Sequence, residues 1–453
     1  MMKKILVLAL AAIFAFSLAA CAKEGKETSN ETKTEETSKG EDTSKVETEE
    51  PAQDTAKTEE TTGADYAGKT LNVGVWGGND AEVAALNQVI KDFEAKTGAK
   101  IELKTYTDIN TQLQADFIAG TAPDVFYVDA NVFPFYATLD VMLELDPVEM
   151  NADAYYSNLL NAFTTEDGKI YAIPKDMSTL AMYVNTGILE EVGYTIEDIP
   201  TSLEEMVTFL PELQAKLDAK YGPQQVTAMT YNQDLARNLH LLERNGASIT
   251  DADEMATLSS EGVLKNFNFI MELIKTNAYK TPAEIGLGWN GEVFGTGKCV
   301  IMEEGNWVYG NLVQNYPDIK FEVLDMPSYL GEKSSMTYTV GYAISAASKE
   351  QDLAKEWIKY ATGDGMVTWC SGAGTLPSRD DVAKKMNVEA DPVWATHLAQ
   401  VEYAMPWQKG TTISIINSAY QNYFPSIVSG ELTPEEGLKQ VDQLANDEIA
   451  NSR

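Results

Sequence analysis

The sequence predicts an α/β protein built as two lobes, and three observations carry that expectation. At 453 residues the chain exceeds the size at which one hydrophobic core stays efficient, so a division is expected. Residues 71 to 129 alternate strand-like and helix-like segments with short joints, the pattern of a right-handed parallel α/β unit. After residue 200 the same alternation begins again. The two units share no internal repeat, so any likeness between them is one of architecture.

The first 65 residues stand outside that count. Residues 1–20 combine two lysines, an apolar run too short for a comfortable membrane span, and small residues leading into Cys21, which reads as a secretory signal peptide. The ending Leu18-Ala19-Ala20-Cys21 resembles the bacterial lipoprotein box, which implies cleavage before Cys21 and a lipidated first residue. Two acyl chains suffice for stable membrane attachment. Residues 21–65 are dominated by Glu, Thr, Ser and Lys, cannot form a core, and read as a disordered acidic tether spanning roughly 35 to 40 Å.

The folded part is then justified element by element. Residues 71–76, "LNVGVW", read as a strand. In the helix 81–97, Val83, Leu86, Ile90 and Phe93 share one face before Gly98 stops it. A strand at 100–106, a helix ending at Gly120, and the nearly all-apolar strand "DVFYVD" at 124–129 complete the first unit, the last being the kind buried on both faces. Residues 169–185 form a long extended run containing Pro174. Ser202 and Glu205 make a capping box for the next helix, "QVTAMTYN" supplies a strand, and so does "KCVIMEEG". A further extended run at 336–348 leads into a helix on which Leu353, Trp357 and Tyr360 share a face, which assigns Trp357 to the core.

Composition excludes several functions. The formal charge of −35 argues against nucleic acid and anionic lipid as partners. Two histidines, His240 and His397, both in helix-like segments, leave little material for a zinc site or histidine catalysis and read as helix-surface or packing residues. Cys299 and Cys370 lie in ordered segments without metal-site spacing and are expected to be free and buried. No metal or cofactor is expected.

In open parallel sheets, ligands bind beyond the carboxyl ends of the strands. Three successive strand ends here carry aromatic and hydrogen-bonding groups: Trp76; Tyr106 with Asp108; and Asp129 with Phe133 and Phe135. Gly77 and Gly78 would let a ligand or the opposite lobe approach the backbone, while Asn79 or Asp80 caps the following helix. A neutral sugar presents C–H faces to aromatic planes and a rim of hydroxyls to carboxylates, and the chain holds 7 tryptophans and 21 tyrosines. Trp307 follows the strand "KCVIMEEG" as Trp76 follows the first strand, so two indoles could face each other across a gap. Bland readings stand beside these. Trp76 could close the sheet end, Glu304 could make a lobe-internal hydrogen bond, and Lys175 reads slightly better as a solvated hinge residue. Trp369, Trp394, Tyr403 and Trp407 are weaker candidates, of which more than half are expected to pack.

Four motifs, "VWGGND" (75–80), "GTAPDVFYVD" (120–129), "YAIPKDMSTLAMYVN" (171–185, with Tyr171, Pro174, Tyr183 and Asn185) and "FGTGKCVIMEEGNW" (294–307), together with "GTLPSRDD" (374–381), carry a resemblance. From residue 66 onward the chain resembles the extracellular solute-binding proteins of carbohydrate ABC importers, the family of maltose- and multiple-sugar-binding proteins. It departs at Cys299, where that family usually has alanine. The resemblance implies a two-lobed, type II periplasmic-binding-protein-like fold, each lobe a mainly parallel sheet flanked by helices. It implies about three hinge crossings, at 169–185, near 338–341 and near 375–380, with lobe 1 made of 66–176 plus 341–377 and lobe 2 of 180–337 plus 381–453. Ligand contacts are then expected from Trp76, Asn79, Asp108, Asp129 and Phe135 on one wall, Glu304 and Trp307 on the other, and Lys175 and Asp176 at the crossing. The implied function is a monomeric, lipid-anchored receptor on the outer face of a cell membrane, in keeping with a Gram-positive cell. It would capture a mono- or oligosaccharide and deliver it to an ABC permease, without catalysis. Two alternatives remain at this stage: a polyamine or peptide ligand on the same fold, and a secreted glycosidase drawing its carboxylate pair from Asp108, Asp129, Asp176 and Glu304.

Overall fold

A computed structural model describes residues 66–453. The expected signal peptide, the lipidation at Cys21 and the tether lie outside the described residues. The strands are β1 (Thr70–Trp76), β2 (Lys100–Tyr106), β3 (Val125–Asp129), β4 (Ala172–Asn185), β5 (Thr227–Thr230), β6 (Tyr279–Lys280), β7 (Cys299–Gly305), β8 (Phe321–Leu324), β9 (Met336–Ile344) and β10 (Met405–Pro406).

Local sequence rules account for the elements around the first strand end. The helix Asp80–Thr97 starts at a capping box in which the Asn79 side chain accepts from the backbone N–H of Glu82, and Glu82 reaches back to the N–H of Asn79. It ends on Gly98 in the left-handed conformation. Its buried face is Ala81, Ala85, Leu86, Val89 and Phe93. Val83 is not on that face: it is 46% exposed, because the buried stripe is carried by two alanines rather than by the larger apolar residues alone.

Parallel pairing holds at the two ends of the sheet, β1 with β2 and β3, and β5 with β6 and β7. Between them run two long antiparallel strands, so the strand order is β2-β1-β3-β9-β4-β7-β5-β6, with β10 on β9 and β8 on β4. The two lobes therefore share one continuous hydrogen-bonded path. β4 pairs with β9 through Thr179 and changes partner at Leu180, from where it pairs with β7. β9 pairs with β3 from Val340 onward and with β10 at Met336 and Thr337. A third crossing is held by Met177 and Leu376, which exchange both backbone bonds at 2.8 and 3.0 Å.

Two separate cores lie on either side of these crossings. One gathers Leu71, Val73, Phe93, Phe126 and Trp357; the other gathers Met206, Leu210, Phe267, Tyr420 and Phe424. Trp357 is fully buried, in line with its helical face. Cys299 and Cys370 are free and buried. His240 and His397 are both fully buried rather than on helix surfaces, and burial pushes each imidazole down to about 3, so both pack as neutral groups. The His397 ring lies between the hydroxyls of Thr179 and Tyr183. No helix among the described residues is long and apolar enough to cross a membrane.

Candidate functional site

A cavity of about 310 Å³ opens between the two cores, lined from both sides of the crossing strands. From the β1–β3 side come Trp76, Glu82 and Asp129, all at or just beyond strand ends. From the other side come Arg237, Trp307 and Trp407. The crossings contribute Lys175, Asp176, Ser178, Tyr338 and Thr375.

A backbone irregularity sets Lys175 and Asp176. Consecutive strand residues face opposite sides, yet both line this cavity. The β4–β9 register shifts between Pro174 and Asp176, and such a bulge re-aims side chains. Pro174 has no N–H to give to the ladder, which suits that position. Lys175 is only 4% exposed, so it is not the solvated hinge residue the sequence favoured. Its ammonium pairs with Asp176 at 2.5 Å and lies 3.9 Å from the ring centre of Trp369 and 5.1 Å from that of Tyr127. Trp369 Nε1 also donates to Asp176, at 2.7 Å. Packing within lobe 1 thus fixes both charges.

The opposite wall has a similar plan. Arg237 Nη2 donates to Glu304 Oε1 at 2.8 Å, and the guanidinium lies 4.9 Å from the Trp307 ring centre and 5.4 Å from that of Tyr338. Trp307 meets Tyr338 edge-on at 5.5 Å. Glu304, 2% exposed, is absent from the cavity lining; it works inside its lobe as the partner of Arg237. Burial works against the charge of Arg237, yet Glu304 beside it holds the guanidinium's pKa above its ordinary value. Each cation in the cleft is therefore matched by a carboxylate of its own wall.

Further carboxyls stay unmatched. Burial pushes Asp129 up to about 7, with the charge of Asp176 adding to the rise and two backbone N–H groups opposing it. Burial likewise raises Glu82 above its usual range. Behind Glu304, burial pushes Glu303 up to about 8, with Arg237 holding it back and Glu304 adding to the rise. A carboxyl whose folded pKa is raised binds its proton more tightly when folded, so stability is greatest at low pH and falls as pH rises from the unfolded toward the folded pKa. The thermal midpoint of the ligand-free protein should accordingly fall between about pH 5 and pH 8. Asp129→Asn should flatten that fall up to about pH 7 and Glu303→Gln should flatten it up to about pH 8, read by scanning calorimetry. A midpoint rising over this range would contradict it.

Of the residues singled out from sequence, Trp76, Asp129, Lys175, Asp176 and Trp307 line the cavity. Asn79, Asp108, Phe135 and Glu304 do not. Asn79 caps its helix and donates through Nδ2 to the carbonyl of Trp307 at 3.2 Å, linking the two walls. Asp108 is exposed and caps the helix Ile109–Ala119. Phe135 packs against Tyr136 and the first core. Gly78 does not make room for a ligand: a Cβ there would lie 2.7 Å from Glu82 Oε2, so its bareness serves the capping box. Among the weaker candidates, Trp407 lines the cleft, Trp394 donates to Gly374 O at 3.1 Å, Tyr403 lies under Lys333, and Trp369 holds Asp176.

The sequence reading missed Glu82, Arg237, Tyr338 and Thr375. Glu82 carried a visible signal as the third residue after the Asn79 cap. Arg237 follows the end of β5, within the helix Leu235–Leu242 rather than at the strand end itself. Thr375, 3% exposed, and the Nε of Arg237 have no hydrogen-bond partner, though both line the cavity. Buried polar groups without partners are uncommon. Among the described residues no group of three His, Cys, Asp or Glu side chains is placed to hold a metal ion.

Comparison with known proteins agrees with this architecture. The chain is 25% identical over 404 residues to the diacetylchitobiose-binding protein DasA of Streptomyces coelicolor, covering 86% of this chain and 92% of that protein. It is 22% identical over 407 residues to the galactooligosaccharide-binding protein of Bacillus subtilis, with the same coverage of each, 86% and 92%. Among solved structures, an ABC transporter solute-binding protein of Thermotoga lettingae bound to α-D-tagatose superposes with a TM-score of 0.74 at 22% identity, covering 84% of this chain and 99% of that one. Maltose-bound MalE3 of Thermotoga maritima gives 0.72 at 19% identity, covering 83% and 99%. These likenesses establish the two-lobed type II binding-protein fold. Residues 88–396 match the family described as bacterial extracellular solute-binding protein. With that match spanning most of the chain, this protein belongs to the bacterial extracellular solute-binding protein family.

Proposed function

We propose that the chain is the sugar-binding receptor of an ABC importer, capturing a mono- or oligosaccharide in the cleft between its lobes and delivering it to membrane permease subunits. The observation that carries this reading is the cavity wall. Trp76 on one side, Trp307 and Trp407 on the other and Tyr338 at the crossing offer flat apolar faces, while Asp129, Asp176, Arg237 and Thr375 offer acceptors and donors for hydroxyls. The names of the curated relatives support it, since they are binding proteins for oligosaccharides rather than enzymes.

Capture by closure requires contacts from both lobes, because a ligand held equally by open and closed forms shifts no population. This cavity supplies contacts from both. We assign 66–176 with 341–377 to one lobe and 180–337 with 381–453 to the other, Trp76, Asp129, Lys175, Asp176 and Trp307 to the ligand-binding region, and Cys21 to a lipid anchor on the outer face of the cell membrane. A disaccharide of about 23 heavy atoms, at roughly 0.3 kcal/mol each, would bind with about −7 kcal/mol, in the micromolar range. That strength suits capture followed by release.

A thermal-shift screen over neutral oligosaccharides, polyamines and short peptides tests the reading. Stabilisation is expected with oligosaccharides. Stabilisation by polyamines or peptides alone would overturn it.

A further inference from the structure

Beside the cleft lies a second, smaller hollow, a pit of about 70 Å³. Its lining includes the buried Leu86, Tyr127 and Trp369 and the exposed Val83 and Leu103. It shares Trp76 and Glu82 with the cleft, so these two side chains border both spaces. Val83 at 46% and Leu103 at 37% are two of only seven large apolar side chains exposed among the described residues, and both stand on this rim. Gly77, also on the rim, leaves open space where a side chain would sit, its nearest neighbour being Thr105 Cγ2 at 3.7 Å.

The pit's one carboxylate is half committed. Glu82 Oε2 accepts from the N–H of Asn79 at 2.9 Å, while Oε1 accepts no hydrogen bond from the described residues. A group suited to this place is small, ends in an apolar methyl, and carries a donor near its root. A ring hydroxyl is too short to fill the pit and has no apolar end to offer it. An amide ending in a methyl group meets each requirement: the methyl enters among Val83, Leu86 and Leu103, and the N–H reaches Glu82 Oε1.

We infer that the pit is an acetamido subsite, so that the saccharide taken by the cleft carries N-acetylated amino-sugar units. This inference rests on the sugar-receptor reading and narrows it. Trp76 then has two functions, one face for the sugar ring and one edge as the threshold of the subsite. The acidic balance of the cleft fits an uncharged, acetylated amino sugar and disfavours a uronic acid.

Titration calorimetry with two matched dimers decides it: the β-1,4-linked dimer of N-acetylglucosamine and the β-1,4-linked dimer of glucose, which differ at the 2-acetamido group. The acetylated dimer should bind at least about tenfold more tightly, from one methyl buried and one hydrogen bond to a carboxylate. Val83→Phe fills the pit and should collapse that ratio toward one; Leu103→Glu, from the facing wall, should do the same and guards against misfolding of the first variant. Equal binding of the two dimers by the parent protein overturns the subsite while leaving the sugar reading intact. A ratio that persists in both variants also overturns it, because the preference would then arise elsewhere. Failure of every saccharide to bind removes the sugar reading and the subsite together.

Discussion

Replacing Trp76 and Trp307 together with alanine should weaken saccharide binding by about a thousandfold, from micromolar to millimolar. Each indole stands half-buried at the cleft, one braced edge-on against Tyr127 at 5.0 Å and the other against Tyr338 at 5.5 Å. A sugar face laid on such a ring removes most of its remaining apolar surface from water, worth about 2 kcal/mol per ring. Two rings give about 4 kcal/mol, and each 1.4 kcal/mol is a factor of ten. Because the rings sit on different lobes, the single variants should also differ in kind. Trp307→Ala removes a contact that forms on the far wall from β1, so a ligand held only by lobe 1 would no longer favour closure. Titration calorimetry measures the affinities, and small-angle scattering with and without ligand measures closure. Should the double variant bind within about threefold of the parent, aromatic stacking would not be the source of affinity.

Much of the fold could be read from the sequence because its signals are local. The capping box at Asn79 and Glu82, the left-handed Gly98 and the all-apolar β3 each depend on residues within a few positions of one another. The joining of the two sheets through β4 and β9 is not local, and no pattern within either strand announces it. The site divides the same way. Trp76, Asp129 and Trp307 were found because a rule about strand ends places them, and that rule needs only the strand. Lys175 was misjudged because its environment comes from elsewhere in the chain: Tyr127 on β3 and Trp369 on a late helix bury it. Asp108 shows the converse failure. An acidic residue just after a strand and just before a helix is as good a cap as a ligand contact, and here the cap is what the backbone uses. Glu304 looked available from sequence because its partner, Arg237, lies on a helix more than sixty positions earlier.

That pair gives the second large effect. Arg237→Met should destabilise the protein by about 3–5 kcal/mol, the usual result of stripping one partner from a buried ion pair. Glu304 is 2% exposed and would keep only the Gly305 N–H at 3.1 Å and Asn232 Nδ2 at 3.4 Å, next to a Glu303 already pushed up to about 8. Loss of the guanidinium removes the charge that holds Glu303 down, so that carboxyl keeps its proton to still higher pH. Folded pKa values raised above the unfolded ones mean stability present at low pH and lost as pH rises, so the deficit should be smallest near pH 5 and largest near pH 8. Arg237→Met combined with Glu304→Gln should recover most of the loss, since removing both partners leaves no uncompensated buried charge. Denaturant unfolding of the three variants, compared at the two pH values, reads these terms, and it does so without ligand, so the stability role of the pair is separated from its place in the cleft. A single variant within about 1 kcal/mol of the parent would show that the pair contributes no more than a surface ion pair, and the far wall of the cleft would then be held by packing of Trp307 and Tyr338 alone.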